Sequence, residues 1–342
     1  MQRFILILIL AGSISAQTLG QRLAAPIFYE LGVQTHYQSN PLNLSDLERE
    51  KVAVDAEYLN GIENSSSNVV SISGKLVYSP RLFDGRRTRF SFQFNHHEYQ
   101  NIPLRSYQSY SLSFRQSMGQ YRYLDVGYWI LPNYYLRNYR FQDPQTLRYS
   151  REVCNFGTDR LWLGWQHRVL RKNTLEYRLT VRNEFYEAPF AMYDLTMQEA
   201  GIKFRLGQFK PFTLTTELQY GAAENNNSYD EKDRSYDYLN IRPSLSLRAG
   251  NHHLRIAARY DQRAYHSEYT DDPLHAGRYQ DEVRVEMTFL PRVKGPVTIA
   301  PFAGYRERRV DSVDSAVRDL KSFDRYWFGV RFGFKSVIDM YF

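Results

Sequence analysis

The chain contains many stretches in which apolar and polar residues alternate one by one. The clearest covers 326–342, where one parity is apolar or aromatic and the other is mostly small or charged. Strict alternation is typical of a β-strand with one face in an apolar environment. Other apolar rows lie within 27–37, 52–58, 70–78, 90–94, 110–118, 124–130, 161–165, 175–181, 195–206, 212–220, 239–247, 254–260, 283–289 and 297–305. The pattern predicts an all-β fold.

The connections between these rows alternate in length. Short connections are expected at 171–173, 207–211, 249–251 and 291–296, and long polar ones at 133–156, 222–235, 266–277 and 307–322. Short turns on one side and long loops on the other are typical of a transmembrane antiparallel up-and-down β-barrel. Counting strands from this alternation of short and long connections predicts about fourteen strands, with sixteen as the alternative. The first strand is expected over Val52–Tyr58. The row Ile27–Tyr37 would be a fifteenth, so we assign it to the periplasm or the lumen.

The end of the chain resembles bacterial outer-membrane β-barrel proteins, whose last strand alternates in this way and ends in Phe. The resemblance implies a location in the outer membrane, in contact with its lipid. It also implies that Ile338, Met340 and Phe342 form the signal that the barrel-assembly machinery recognises.

The first residues predict export. Arg3, the apolar run 4–12 and the small residues up to Ala16 are typical of a secretory signal peptide. We expect cleavage after Ala16, with Ser15 as the competing site. The expected organisation is a signal peptide at 1–16, a periplasmic or lumenal segment at 17–47 and the barrel at 48–342.

Composition agrees with a barrel. No apolar stretch after residue 16 is long enough for a membrane-spanning helix. Aromatic residues make up 15% of the chain and include 28 tyrosines, as expected where rings lie at both membrane interfaces. The net charge is +7, and 35 of the 44 basic residues are arginine. Nucleic acid is not an expected partner, because the chain is exported and its arginines are spread along the strands.

The charged residues share the parity opposite to the apolar rows. Each arginine facing lipid near the bilayer midplane would cost about 2–4 kcal/mol, so the charged face must look into the lumen. The expected lumenal charge ladder is Arg178, Arg182, Arg242, Arg248, Arg255, Arg259, Arg263, Glu282, Arg284, Glu286, Arg306 and Arg331.

Two functions are compatible with this ladder. Rings of arginine in a wet pore favour anions, which predicts a porin-like channel for passive diffusion of small, anionic solutes. Alternatively, cross-strand Arg–Glu pairs only fill the interior, and the barrel is a non-conducting structural, assembly or secretion component.

The sequence gives little support for a metal site or for catalysis. The adjacent pairs His96–His97 and His252–His253 cannot hold a metal from one strand face, so we expect no metal and no cofactor. No serine has the small neighbours expected of a nucleophile and no Asp–His pairing is expected from the strand map, so we do not expect an enzyme. The single cysteine, Cys154, falls in the longest predicted loop.

Three positions should be irregular. The apolar parity changes between Met197 and Ile202, which predicts a bulge at Glu199–Gly201. Pro243 and Pro301 lie in apolar rows and each removes a ladder donor, so bulges or strand ends are expected there.

Overall fold

The structure is a computed structural model. It describes the chain except for residues 1–18, 56, 57, 59–61, 63, 64, 144, 145, 208–210, 227–231, 269–271, 292, 294 and 340–342. The expected signal peptide at 1–16 therefore lies outside the described residues, as do Met340 and Phe342.

The described residues form fourteen antiparallel strands that close into one barrel. Each strand pairs with its neighbours in sequence, and β1 pairs with β14 to close the wall. The strands are β1 Ile27–Gln38, β2 Ser67–Tyr78, β3 Thr88–Tyr99, β4 Tyr107–Gly119, β5 Arg122–Gln142, β6 Tyr149–Leu170, β7 Asn173–Tyr186, β8 Leu195–Leu206, β9 Phe212–Asn225, β10 Tyr236–Ala249, β11 His252–Tyr265, β12 Tyr279–Leu290, β13 Val297–Asp311 and β14 Phe323–Ile338.

Three short helices accompany the wall: α1 Leu19–Leu23, α2 Asp46–Val54 and α3 Ser315–Lys321. The helices α2 and α3 contact each other at the end of the barrel that carries the long connections. Across the described part of the chain, none of the helices has the length and apolar character needed to cross a bilayer.

The predicted strand number is confirmed, but two of the assigned segments are wrong. The row Ile27–Tyr37, placed outside the barrel, lies in β1, which pairs with β14 through Ile27↔Ile338 and with β2 through Ile27↔Tyr78. The stretch Val52–Tyr58, predicted to be the first strand, instead includes the end of α2. One strand is gained and one is lost, so the count stays even and the barrel starts at residue 27.

A capping box explains the helix at this position. Ser45 precedes α2 and its hydroxyl accepts a hydrogen bond from the Glu48 backbone N–H, while the Glu48 carboxylate accepts one from the Ser45 backbone. This Ser-x-x-Glu spacing is a helix-start signal in the sequence, and it outweighs the two-residue alternation of Val52 and Val54. Val52 is buried and Val54 is 91% exposed.

The alternation of short and long connections is largely as predicted. The exception is 133–156, expected to be a loop, where β5 and β6 continue as a long hairpin of 21 and 22 residues. Cys154, expected in an external loop, lies within β6 opposite Arg137 and is buried.

The two faces of the wall differ in chemistry, as the alternation predicts. Apolar side chains such as Leu31, Leu163 and Leu179 project outward and are 54%, 47% and 60% exposed. The opposite parity faces the interior, where two tryptophans lie flat over glycines. A Cβ on Gly127 would come within 2.0 Å of Trp162, so only glycine permits this contact. An apolar outer wall and a polar interior are what a surrounding hydrocarbon layer requires.

The three expected irregularities have different outcomes. The bulge at Glu199–Gly201 is wrong, because β8 pairs with β7 and β9 without a register shift. The parity changes because Leu195 and Met197 face inward, into a buried apolar cluster at the long-loop end. The strand end or bulge expected at Pro301 is also wrong, because Pro301 lies within β13 and pairs with Val330 of β14 without a register shift, just beyond the last β12–β13 pair. Pro243 remains in register with β9 and leaves a gap in the ladder to β11 rather than a bulge.

Candidate functional site: a basic lumen and its vestibule

The strand register places all twelve residues of the expected ladder at interior positions. They nevertheless lie at different heights and have different partners. We call the part of the interior around Asp261 and Glu282 the upper lumen. The part lined by Arg242, Arg255, Arg284 and Arg331 is the lower lumen.

In the upper lumen, arginines are paired with carboxylates. Glu282 accepts two hydrogen bonds from Arg306, both at 2.7 Å, and two from Arg308, at 3.0 and 2.9 Å. Glu282 of β12 is therefore joined to two arginines of β13, which is a cross-strand Arg–Glu arrangement.

Asp261 is the centre of a second paired group. It is buried and accepts hydrogen bonds from Tyr238 at 2.7 Å, from Asn240 at 2.6 Å and from Arg259 at 2.9 Å. Because Asp261 holds Arg259 in place, this arginine is not a free lumenal charge. Similar pairs join Arg178 to Glu176 and Arg182 to Glu184.

The lower lumen is open and less neutralised. Its residues surround a cavity of about 490 Å³. Arg255 donates to the Ser244 hydroxyl at 3.2 Å and Arg331 to the Gln34 side chain at 3.0 Å. Neither guanidinium forms an ion pair within the part of the chain that the structure describes.

Two other arginines of the lower lumen have carboxylate partners. Arg242 lies 3.9 Å from the Glu217 carboxylate, and Arg284 lies 3.0 Å from Glu286 on its own strand. Arg248 is set apart from the rest, since it is exposed next to the β10–β11 turn.

A further cavity, the vestibule, lies where the upper lumen meets the loops, and it encloses about 350 Å³. Sequence reasoning did not find it. It is lined by aromatic rings and by seven basic residues, Arg137, Arg140, Arg234, Arg263, Arg278, Arg308 and Lys321. Glu184 is the single carboxylate among the described lining residues.

Three of these cations have carboxylate partners. Arg137 pairs with Glu48 at 2.6 Å, Arg234 with Glu184 at 3.0 Å, and Arg308 with Glu282. A weak signal for the vestibule exists in the sequence, because basic residues recur at or beside the ends of the long connections. Their convergence follows only from barrel closure.

The loop between β11 and β12 holds an Asp–His pair that the sequence did not predict. His275 Nδ1 lies 2.9 Å from both carboxylate oxygens of Asp272, and the Ser267 hydroxyl donates to Asp272 at 3.3 Å. The serine therefore contacts the acid and not the imidazole, which is not the arrangement of a nucleophile and its base. Within the described ranges, no three potential ligands come together as a metal site.

No protein-family model matches the sequence, and no curated protein matches it. Among solved structures, the chain is similar to an anion-selective porin from Comamonas acidovorans, with 9% identity, 91% of this chain and 99% of that chain covered, and a TM-score of 0.43. It is also similar to OccK1 (OpdK) from Pseudomonas aeruginosa, with 8% identity, 91% and 99% covered, and a TM-score of 0.43. A third similar structure is OmpT, an outer membrane protein of Vibrio cholerae, with loop L8 deleted, at 8% identity, 92% and 100% covered, and a TM-score of 0.45.

The geometry of the chain itself defines its architecture. The wall is closed, apolar outside and charged inside, with long loops at one end and short turns at the other. This chain is a closed fourteen-stranded antiparallel β-barrel with the apolar exterior and charged interior of a membrane-spanning barrel.

Proposed function

We propose that the chain is an outer-membrane channel for passive diffusion of small solutes, with a preference for anions. The observation that carries this proposal is the presence in the lower lumen of Arg255 and Arg331, which face an open cavity without a carboxylate partner among the described residues. Charges of one sign in a narrow, wet passage raise the local concentration of counter-ions and favour their passage.

Cavities along the interior support a route for solutes. The vestibule lies at the loop end, a cavity of about 230 Å³ lies beside Arg160 and Arg178, and the lower lumen follows it. A mouth of about 830 Å³ lies at the short-turn end, lined by basic residues that include Lys75, Arg89 and Lys335. Basic residues therefore line each of these cavities, together with fewer carboxylates.

We infer that the upper lumen limits the size of the solute. The paired groups at Asp261 and Glu282 occupy the interior, and α2 covers part of the loop end above a buried apolar cluster that includes Leu44, Val69 and Tyr135. We propose small solutes only.

The same groups, which occupy the interior of the barrel, favour the second candidate function, a non-conducting structural or assembly component. Ion conductance of the purified protein in planar bilayers separates the two. Discrete conductance steps support the channel, and a silent bilayer containing inserted, folded protein supports the structural component.

The selectivity has its own test. Arg255→Gln removes an unpaired lower-lumen charge and should lower the anion-to-cation permeability ratio. Arg248→Gln, outside the lower lumen, is the matched control and should leave the ratio close to that of the wild type. Equal ratios for all three proteins would show that the lower-lumen arginines do not set selectivity.

A further inference from the structure

Four cations of the vestibule have no carboxylate partner among the residues that the structure describes: Arg140, which is exposed, and Arg263, Arg278 and Lys321. Arg278 is 7% exposed, and it donates to the Leu274 carbonyl at 3.2 Å and to the Gln280 side chain at 2.7 Å. Arg263 and Lys321 are partly buried. The Nε atoms of Arg263 and Arg278 are buried, and neither has a hydrogen-bond partner within the described ranges.

These cations also repel one another. Burial lowers the pKa of the Lys321 ammonium, and the guanidiniums of Arg137 and Arg278 lower it further, against the opposing effects of Tyr139 and of the Glu48 carboxylate. Burial likewise lowers the pKa of Arg278. A positive charge removed from water without a counter-charge is costly, so an anion that enters the vestibule relieves an existing penalty.

The remaining lining restricts what can bind. Tyrosine rings stack against the cations: Arg278 lies 4.5 Å from the centre of the Tyr265 ring, and Lys321 lies 5.4 Å from that of Tyr139. These rings keep the cationic groups in fixed orientations and leave a space of about 350 Å³, at the lower limit for a ligand pocket. Only a compact ligand can occupy it.

The number of unpaired cations sets the charge of the ligand. A monovalent anion such as chloride or acetate would neutralise only one of these cations. An oxyanion with two or more charges offers several acceptor oxygens to the planar donors of two guanidiniums and to the ammonium of Lys321.

We propose that the vestibule is a saturable binding site for a small multivalent oxyanion, a phosphate group or a polycarboxylate. As a step in solute passage this site rests on the proposed channel function, because the solute would bind here before it reaches the lower lumen. As a binding site it is tested without any measurement of conduction.

The experiment is isothermal titration of the purified, refolded full-length barrel at constant ionic strength near neutral pH. The probes are inorganic phosphate, glycerol phosphate and citrate, with acetate as the monovalent control. Saturable binding of phosphate, glycerol phosphate or citrate, with none for acetate, supports the proposal. The stronger of the phosphate and citrate arms identifies the chemistry. No saturable binding of any multivalent probe, or equal binding of acetate, overturns it.

Two variants locate the site. Arg278→Gln combined with Lys321→Gln should weaken binding by about tenfold or more, since each removes a charge-assisted contact. Arg248→Gln, exposed beside the β10–β11 turn at the opposite end of the barrel, is the matched control and should bind like the wild type. Unchanged affinity in the double variant, or an equal loss of affinity in the control, would show that the anion does not bind in the vestibule. Resistance of the unheated barrel to unfolding in SDS verifies that each variant is folded, and if the double variant fails this check, Lys321→Gln alone serves as the test.

The two proposals fail separately. A conducting barrel that does not bind multivalent anions contradicts only the vestibule site. A barrel that binds them but does not conduct contradicts only the channel.

Discussion

The carboxylate of Glu48 joins helix α2 to the barrel wall through Arg137. Arg137 Nη1 lies 2.6 Å from each of the two Glu48 oxygens, and both side chains are about nine-tenths buried. The same carboxylate accepts the Ser45 backbone N–H at 3.0 Å. One acidic side chain therefore both starts the helix and holds it across the loop end of the barrel.

Replacing this carboxylate should release α2. In Glu48→Gln the Arg137 guanidinium stays buried without its counter-charge, a loss on the order of 3–5 kcal/mol that favours detachment of the helix. We expect a larger unit conductance in planar bilayers and faster tryptic cleavage after Arg49 and Lys51.

Asp46→Asn is the matched control, because Asp46 lies on the same helix but its side chain is 86% exposed in its pair with Arg49. It should behave like the wild type. If Glu48→Gln shows the conductance and the cleavage rate of the wild type, then this pair does not hold α2 over the lumen.

Closure of the barrel depends on a glycine at the β1–β14 seam. A Cβ on Gly329 would lie 2.2 Å from the Thr35 carbonyl oxygen and 2.4 Å from the His36 Cβ. Gly329→Val should therefore block pairing of the first and last strands, and the unheated protein should migrate in SDS gels as an unfolded chain. Gly74→Val is the control, because the nearest atom to its added Cβ is a Leu31 methyl group at 4.0 Å. Normal folding of Gly329→Val would show that pairing of β1 with β14 does not require a glycine at position 329.

The lipid-facing and lumen-facing sides of the wall should differ in how much an added charge lowers the free energy of unfolding. Leu179 projects outward from the middle of β7, so Leu179→Arg should lower the free energy of unfolding in lipid vesicles by about 2–4 kcal/mol. Thr215→Arg places the same charge in the lower lumen and should cost much less. Denaturant titration of both variants measures the difference. Equal losses would mean that the two faces do not differ in environment.

Acid should weaken the loop that carries His275. Burial lowers the pKa of this imidazole, and Arg278 and Arg234 lower it further, while the hydrogen bond and charge of Asp272 oppose the shift. The unfolded chain then takes up the proton first, so this contribution to stability is complete above the ordinary histidine pKa of about 6.5 and is lost as the pH falls below it. Denaturant midpoints from pH 7 to 5, compared with those of His275→Gln, measure the effect.

We expect a shallower pH dependence in His275→Gln than in the wild type. His252→Gln is the control, since His252 is exposed beside the β10–β11 turn. Identical pH slopes for the wild type and His275→Gln would show that this imidazole does not contribute.

The sequence was sufficient for the features that repeat with period two. Rows such as 175–181 predict a strand because lipid demands an apolar residue at every second position. The prediction failed where another force decides the local structure, at Val52, where a capping box outweighs alternation, and at Leu195 and Met197, where an apolar cluster lies inside the barrel.

The vestibule could not be predicted from the sequence for a different reason. Its cations come from positions as far apart as Arg137 and Lys321, and only the closed wall and the docking of α2 and α3 bring them together. The lumenal face of each arginine follows from parity. The identity of the carboxylate that each arginine binds does not follow from parity. Arg259 binds Asp261 two positions along its own strand, while Arg306 binds Glu282 on the neighbouring strand.

The most direct test of the central claim, a basic lumen that conducts, is the reversal potential of the wild-type barrel in a planar bilayer across a potassium chloride gradient. We expect discrete conductance steps and a reversal potential of the sign set by chloride. A reversal potential set by potassium, or the absence of any conductance from folded, inserted protein, would contradict it.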